Sequence, residues 1–468
     1  MRVCLILEGC YPYVTGGVSS WVHQYISATK ETEYVLCTIY PNESSRGKFV
    51  YDIPDNVVEI KEYFMDSFDI SNKSQIYVPS PMFINETKNI ICEGSVNWQV
   101  IFDEISSDKF DLNSFFKSKQ YIELVTDIAD NHLNNVGFSN TFFSVRSILT
   151  PVFYLLQVEV PKADLYHSIV TGYGGLVGSY ASYIYDKPYV ISEHGIYPRE
   201  REEELLQATW VDDSFRRTWI SFFYTLSKCS YEYADVVTSL YSHARSLQIE
   251  IGCEDDKCMV IPNGINYDAY SKISIKEENT YVDIGAIIRF SPIKDVKTLL
   301  YAFHELKIKY PEARLHILGG TNDEDYKEEC LRLIDSLGIE DVLIRGQMNV
   351  LEALEEFDFT VLTSISEGQP LVILESFAAK RPVVCTNVGS CSELIYGINK
   401  GDKQAGFCLS SMDSVGIANA MLRLCRDKNL RLEFGEVGQK RVREHYGYDK
   451  MLNNYSNAYK EAIKKWQE

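Results

Sequence analysis

The chain lacks several features that would point to a membrane, a metal or a nucleic acid. It contains no uninterrupted apolar run of about 18 residues, the length that a membrane-spanning helix requires. Its 12 cysteines form no C-x-x-C pair, and the closest two, Cys253 and Cys258, have no further Cys or His pair beside them to complete a metal site. Basic residues are scarce, since 46 Lys and Arg face 66 Asp and Glu, for a net charge of −20. We therefore expect no direct membrane insertion and no nucleic-acid binding.

Cysteine usage and the first residues indicate the cellular compartment. The cysteines are scattered through apolar runs, which is typical of buried, reduced thiols. The opening sequence MRVCLILEG has an apolar run that is shorter than the core of a signal peptide and ends at Glu8. We expect a protein of the reducing cytoplasm that reaches a membrane only through protein partners.

Strand and helix patterns alternate in two series along the 468 residues, which exceed one ordinary hydrophobic core. Near-continuous apolar strands separated by helical patterns are typical of parallel sheets that are covered on both faces. We predict an α/β protein of two Rossmann-like domains, residues 1–270 and 278–448, whose parallel sheets face an inter-domain cleft. The polar stretch 268–280 is the predicted linker, and residues 449–468 form a final amphipathic helix.

Two stretches of the first domain depart from regular alternation. Residues 41–150 are rich in Asn, Ser, Asp and Phe, and we predict irregular structure there with helical patches near 112–131 and 139–157. Residues 200–231 carry one long, aromatic-rich helical pattern. The first of these stretches is the predicted insertion of the domain.

The segment Glu367-Gly-Gln-Pro-Leu-Val-Ile-Leu-Glu375 lies between the apolar runs FDFTVLTSIS and SFAAKRPVVCT, a pattern that predicts strand, loop, helix and strand. Pro370 suits the first helical position, where its missing N–H costs nothing. A helix N-terminus at the carboxyl end of a strand offers N–H groups and a positive dipole to a phosphate. Carboxylates beside it can hold sugar hydroxyls. The segment favours a nucleotide-sugar site, although glutamates at this spacing also occur by chance in acidic proteins.

Two other segments follow predicted strands, where α/β sheets bind ligands. Gly16 and Gly17 lie after the first strand and allow a close backbone approach, but they also suit an ordinary tight turn. His194 ends the strand PYVIS, and the polar run IYPREREEE after it predicts a loop. A neutral imidazole in such a loop can bind a sugar hydroxyl or a developing charge.

Arg289 and Lys294 flank a loop that follows a strand of the second series. Two cations at this spacing suit a diphosphate, whose charge they would neutralise as it departs. Basic residues in loops are often simply exposed to solvent. The helix predicted over 370–380 favours the diphosphate interpretation, because the loop and this helix could face one diphosphate.

Motifs along the whole chain resemble those of one enzyme class. They are LEGCYPYVTGGVSSWVHQ (7–24), EHGIYPRERE (193–202), VIPNGI (260–265), PIKDVKTL (292–299), TSISEGQPLVILESFAAKRPVV (363–384) and VGSCSELI (388–395). The chain resembles glycosyltransferases of the GT-B fold and retaining family 4 (GT4), and within them the PelF-type enzymes of Pel exopolysaccharide synthesis. The broader class carries an apolar pair where Gln369 and Pro370 stand, and the Gln-Pro pair resembles the PelF type.

The resemblance implies catalytic roles for four residues. His194 would contact the donor hexose, Arg289 and Lys294 would bind the diphosphate and stabilise its charge, and Glu367 would orient the donor sugar. Donor binding would also involve six further residues: Gly16, Gly17, Gly368, Leu371, Val372 and, on the nucleotide ribose, Glu375. No metal or other cofactor is expected, because the cations and the helix dipole would do the work of a divalent ion. The resemblance also implies that the C-terminal helix crosses back to the N-terminal domain.

The expected reaction is the retaining transfer of a hexosyl unit from a UDP-linked sugar to a growing Pel-type exopolysaccharide. The resemblance implies a UDP-sugar donor, a saccharide acceptor and inner-membrane Pel synthase components as partners. Two alternatives remain open from the residues alone. One is a sugar-nucleotide epimerase of the same fold, and the other is a non-catalytic nucleotide-binding subunit of a membrane polysaccharide synthase.

Overall fold

The computed structural model describes two compact units over residues 1–68, 77–107, 109–133, 136–277, 279–321 and 323–468. The first unit comprises Met1–Ser239, Ala244–Val260 and Tyr455–Glu468, and the second comprises Leu240–His243 and Ile261–Asn454. Parts of the predicted insertion and residue 278, the predicted start of the second domain, lie outside the described residues.

The first unit is built on a sheet of seven parallel strands within the described ranges. They are β1 (Arg2–Glu8), β2 (Glu33–Tyr40), β3 (Val57–Phe64), β4 (Leu165–Ser168), β5 (Tyr189–Glu193), β6 (Val236–Ser239) and β7 (Cys258–Val260). Their order is β3-β2-β1-β4-β5-β6-β7, so the order reverses between β1 and β4. Ligands of open α/β sheets bind at such a reversal, beyond the carboxyl ends of the strands.

Ten helices accompany this sheet in the described part of the chain. They are α1 (Gly17–Ala28), α2 (Pro81–Ile91), α3 (Trp98–Ser106), α4 (Leu112–Lys117), α5 (Lys119–Asn131), α6 (Phe138–Gln157), α7 (Tyr173–Tyr185), α8 (Tyr197–Gln207), α9 (Asp213–Tyr233) and α10 (Ser242–Ile251). The prediction of irregular structure was wrong over most of the described residues 57–106, where β3, α2 and α3 lie. The helical patches predicted near 112–131 and 139–157 are confirmed by α4, α5 and α6. Apolar side chains such as Phe83, Trp98 and Phe115 are buried on these helices and share one core with α7 and α9.

The predicted long helix over 200–231 is two helices, α8 and α9. The chain leaves α8 after Gln207, and α9 begins at Asp213. The Asp212 carboxylate accepts a hydrogen bond from the backbone N–H of Ser214 at 2.8 Å and so caps α9. A capping aspartate in the middle of a helical pattern was the signal for this break.

The second unit is built on six parallel strands among the residues described. They are β8 (Val282–Ile287), β9 (Ala313–Leu318), β10 (Val342–Gly346), β11 (Phe359–Leu362), β12 (Val383–Thr386) and β13 (Gly406–Leu409). Their order is β10-β9-β8-β11-β12-β13, which places the reversal between β8 and β11. The prediction of an α/β protein with two parallel sheets is therefore confirmed.

The remaining helices run from the predicted linker to the end of the chain. They are α11 (Tyr267–Tyr270), α12 (Val296–Lys309), α13 (Glu324–Leu337), α14 (Val350–Glu355), α15 (Leu371–Ala378), α16 (Cys391–Tyr396), α17 (Ser414–Arg426), α18 (Lys428–His445) and α19 (Tyr448–Gln467). The short α11 lies within the stretch predicted as linker. Pro370 is the N-cap of α15 rather than its first residue, so the helix begins one residue later than predicted.

The C-terminal part of α19 belongs to the first unit. Tyr455 packs against the rings of Trp21 and Tyr25. The Tyr459 hydroxyl lies 2.8 Å from Nδ1 of His167, which is buried in β4. Tyr455 and Tyr459 of this helix therefore form part of the core of that unit.

A buried carboxylate, Asp283 of β8, stabilises the amino-terminal side of the second sheet. Arg314 donates two hydrogen bonds to its oxygens, at 2.7 and 2.9 Å, and His316 Nε2 and Lys276 Nζ lie 2.8 and 2.6 Å away. Burial raises the pKa of Asp283, but the hydrogen bonds and charges of these partners outweigh it and hold the pKa well below its usual range.

We expect Asp283→Asn to destabilise the protein at pH 7 by about 3–5 kcal/mol, because Arg314 loses its buried counter-charge and Lys276 keeps only its pair with Asp358. Folding lowers the pKa of this carboxyl, so its contribution is present above the unfolded pKa of about 4 and is lost as the pH falls below that value. Urea unfolding should show the difference between variant and wild type shrinking below about pH 4.

The matched control is Glu329→Gln, which removes an exposed ion pair with Lys297 whose side chains are 40% and 49% accessible. This change should cost less than about 1 kcal/mol at either pH. Equal losses in the two variants would contradict the structural role of Asp283.

Candidate functional site

Two loops of the second unit carry four of the ten predicted site residues, Arg289, Lys294, Glu367 and Gly368, and they flank the reversal in strand order. One connects β8 to α12 (288–295), and the other connects β11 to α15 (363–370). The Thr363 hydroxyl donates to the backbone carbonyls of Lys294 and Asp295, both at 3.1 Å. These bonds fix the two loops to each other at the carboxyl edge of the sheet.

Lys294 and Glu367 form an ion pair between these loops. The Lys294 ammonium lies 2.5 Å from Oε1 of Glu367, and the Ser364 hydroxyl donates to the same oxygen at 2.5 Å. The two charged side chains are 19% and 12% accessible. An ammonium has three N–H donors, and this pair uses one of them. The other N–H donors of Lys294 have no partner among the described residues, so they can bind an anion.

The backbone at Glu367 and Gly368 is held by the loop that follows β12. The Ser390 N–H donates to the Gly368 carbonyl at 2.9 Å. Gly389 has a φ of +54°, and a Cβ there would lie 2.2 Å from the carbonyl oxygens of both Glu367 and Gly368. Only glycine allows this approach. The motif VGSCSELI marked the segment, but its local sequence did not show which loop it supports.

The N-terminus of α15 has neither a capping side chain nor an acidic residue in its first turn. By contrast, the helices α12, α17 and α18 each begin with an aspartate whose carboxylate accepts a backbone N–H. Leu371 and Val372 open α15 and are half-buried. Uncapped N–H groups at a helix start are suited to bind an anion.

Glu375 lies one turn further along α15 and does not join the Lys294–Glu367 pair. Its Oε1 accepts a hydrogen bond from the Tyr270 hydroxyl of α11 at 2.9 Å. Burial raises the pKa of the Glu375 carboxyl, and the Tyr270 bond opposes this only in part. Tyr270 was missed in the sequence because it lies in the stretch that we predicted as linker.

Arg289 follows β8 and is exposed, and no described residue forms an ion pair with it. The backbone on either side of it is bound to the end of β9. Ile288 donates to the Leu318 carbonyl at 2.8 Å, and Phe290 donates to the Gly320 carbonyl at 3.0 Å. The guanidinium therefore extends from a fixed backbone on the loop that also carries Lys294.

In the first unit, Gly16 and Gly17 lie at the start of α1, after β1. A Cβ at either position would meet no atom within 4 Å, so the backbone there borders open space rather than a crowded turn. The neighbouring Glu8, at the end of β1, accepts hydrogen bonds from the Gly174 N–H and the Tyr197 hydroxyl, both at 2.8 Å. Glu8, which we did not predict, fixes the starts of α7 and α8 around this reversal point.

His194 follows β5 and is half-buried against α1. Its ring packs edge-on against Trp21, with 4.5 Å between ring centroids. Burial lowers the pKa of His194 to about 4, so the imidazole is neutral near pH 7. Its Nε2 is buried without a hydrogen-bond partner among the described residues. The run IYPREREEE after it begins α8, so the prediction of a loop there was wrong.

No group of three or more His, Cys, Asp or Glu side chains within the described ranges is arranged to hold a metal ion. No helix in those ranges is long and apolar enough to cross a membrane. The cysteines are free thiols.

Comparison with known proteins matches the two parts of the chain to two different families. Residues 1–256 match the family described as Domain of unknown function (DUF3492), and residues 281–427 match the family Glycosyl transferases group 1. The Lys294–Glu367 pair, Arg289 and α15 all lie in the second match. Gly16, Gly17 and His194 lie in the first.

Two curated relatives resemble part of the chain. N-acetyl-alpha-D-glucosaminyl L-malate synthase of Bacillus anthracis is 28% identical over 244 residues, which cover 50% of this chain and 61% of the relative. Poly(ribitol-phosphate) alpha-N-acetylglucosaminyltransferase of Staphylococcus aureus is 28% identical over 181 residues, which cover 38% and 35% of the two chains. The chain thus spans less than two thirds of the length of either relative.

A solved structure resembles the whole chain. The crystal structure of Anabaena Alr3699/HepE in complex with UDP aligns over 98% of this chain and 100% of that one, with a TM-score of 0.62 and 14% identity. At this identity the likeness shows the fold, and it confirms the predicted GT-B architecture. Because the DUF3492 model matches more than half of the 468 residues, the protein belongs to the DUF3492 family, and its second unit carries a Glycosyl transferases group 1 domain.

Proposed function

We propose that the protein is a retaining hexosyltransferase that moves a hexosyl unit from a UDP-linked sugar to a growing exopolysaccharide. One observation carries the proposal: an ion pair with unused ammonium donors lies at the strand-order reversal of the group 1 domain. The choice of UDP is supported by the UDP bound in the solved Anabaena structure, whose fold is similar.

In this proposal the diphosphate binds Lys294, Arg289 and the free N–H groups at the start of α15, Leu371 and Val372. The charge that develops on the departing diphosphate is stabilised by cations and dipoles that are already in place before the reaction. Charge-assisted bonds to phosphate oxygens are the strong class of hydrogen bond, which suits them to this task. Glu375 takes the ribose hydroxyls of the nucleotide.

The donor sugar lies over Glu367 and Gly368 in the proposed complex. Glu367 accepts hydrogen bonds from sugar hydroxyls and orients the anomeric carbon. An acceptor oxygen then bonds to that carbon as its bond to the diphosphate oxygen breaks, and the acceptor proton passes to the departing diphosphate. Attack on the same face retains the anomeric configuration without a covalent enzyme intermediate, and this step needs no metal or other cofactor.

The first unit contributes Gly16 and Gly17 at the donor phosphates and sugar, and His194 at the donor hexose. A neutral imidazole with an unpartnered buried nitrogen suits a hydroxyl group, which can donate or accept. The motif around His194 and the pair Gln369-Pro370 motivate a Pel-type acceptor. We place the protein in the cytoplasm beside inner-membrane synthase components.

A turnover assay separates this function from its alternatives. Purified protein is incubated with a panel of UDP-hexoses, with and without an oligosaccharide acceptor, and UDP release and product sugars are followed. UDP release that requires the acceptor supports the transferase. An epimeric donor formed without acceptor would identify an epimerase, and nucleotide binding without turnover would identify a non-catalytic subunit.

We expect Lys294→Ala to weaken UDP binding by about tenfold or more, since a hydrogen bond to a charged group contributes about 1.5–3 kcal/mol. Calorimetric titration with UDP measures the change. The matched control is Lys297→Ala, since Lys297 lies three residues on and pairs with Glu329 at 2.7 Å. Its affinity for UDP should equal that of the wild type. Equal affinity in all three proteins would remove Lys294 from the donor site.

We expect Gly389→Ala to reduce turnover by about tenfold or more, because its Cβ would displace the backbone that carries Glu367. Gly338→Ala is the control, since Gly338 has a similar φ of +60° and open space around its Cβ. Both variants acquire similar backbone strain, of about 1–2 kcal/mol. Melting temperatures and turnover are measured together, and a turnover loss that is the same in both variants would contradict the role of Gly389.

A further inference from the structure

Gln369 lies next to the site but has no part in the roles proposed above. Its side chain is only 7% accessible, so its amide group needs a protein partner. Oε1 of Gln369 accepts a hydrogen bond from the backbone N–H of Asn263 at 2.6 Å. Buried backbone N–H groups are rarely left unpaired. Gln369 thus satisfies this N–H and binds the 363–370 loop to the turn 262–265.

That turn is itself firmly held. The Ile265 N–H donates to the Tyr446 carbonyl at 3.0 Å, and the Tyr448 N–H donates to the Ile265 carbonyl at 3.1 Å. A Cβ on Gly264 would lie 2.7 Å from Cα of Tyr448 and 2.9 Å from the Gly447 carbonyl oxygen. The turn therefore packs tightly against the junction of α18 and α19. Gln369 is bound to a fixed point.

The backbone at Gln369 has little freedom to absorb a change in its side chain. A residue that precedes proline is restricted to extended conformations, and Pro370 is the N-cap of α15. Movement of Gln369 would therefore pass to Gly368 and Glu367 on its other side. The Ser390 N–H binds the Gly368 carbonyl of that loop. The bond to the turn 262–265 is made by Gln369.

We propose that Gln369 is a positioning residue. Through its bond to the Asn263 N–H it fixes the position of Glu367 and Gly368, and so governs the binding of the sugar half of the donor. This inference rests on the proposed function. The bond would not affect the nucleotide half, which is assigned to Lys294 and α15. Loss of this bond should therefore weaken the binding of UDP-hexose and leave the binding of UDP unchanged.

The test compares UDP and UDP-hexose affinities and turnover in Gln369→Met, which keeps an unbranched side chain of similar length but removes the acceptor. We expect UDP affinity to stay within about twofold of the wild type, whereas turnover and the extra affinity for UDP-hexose fall by about tenfold. Gln369→Asn, whose side chain is too short to reach Asn263, should show the same separation and replaces Gln369→Met if that variant does not fold.

The matched control is Gln439→Met. The Gln439 amide donates to the Ala378 carbonyl at 2.8 Å, at the far end of α15, so this variant also loses one bond between a glutamine and the backbone. It should bind and turn over UDP-hexose as the wild type does. A folded Gln369 variant with wild-type affinity and turnover would overturn the positioning role alone. A wild-type protein that binds no UDP would overturn the proposed function, and this inference with it.

Discussion

The parallel pairing of β8 with β11 is the constraint on which the rest of the site depends. Phe359 pairs with Ile284 and Thr360 with Gly285, so both strands end at the same edge and their loops meet there. The neighbouring strands β9 and β12 lie on opposite sides of this pair, and the residues that follow them support the two loops from either side. The Lys294–Glu367 pair forms in the space that this order leaves open.

The two ends of β8 show how one sheet uses charge in different ways. Asp283 is surrounded at its amino end by Arg314, Lys276 and His316, so its oxygens are fully engaged. Breaking such a buried cluster costs stability. Beyond its carboxyl end, Lys294 uses one donor on Glu367 and Arg289 has no partner among the described residues. The charged groups around Asp283 are paired with one another and stabilise the fold. The cations at the other end, where a ligand is proposed, keep N–H donors that no described residue uses.

The sequence was sufficient to predict the two parallel sheets, because buried parallel strands are near-continuous apolar runs. It also indicated that the loop of Arg289 and Lys294 and the helix over 370–380 could face one diphosphate, but it did not predict the ion pair between Lys294 and Glu367. It did not reveal the helices α2 and α3, whose buried aromatic residues are interspersed with polar residues such as Asn and Ser. Nor did it show the support from Gly389 or the bond from Gln369 to Asn263, because these contacts join residues that are 22 or 106 positions apart.

The most direct test of the central claim is a crystal structure of the protein grown with UDP. We expect the diphosphate at the start of α15, within hydrogen-bond distance of the Lys294 ammonium, and the ribose beside Glu375. UDP bound elsewhere on the protein, with the Lys294–Glu367 pair and the α15 N-terminus unoccupied, would contradict it. So would crystals that bind no nucleotide at millimolar UDP.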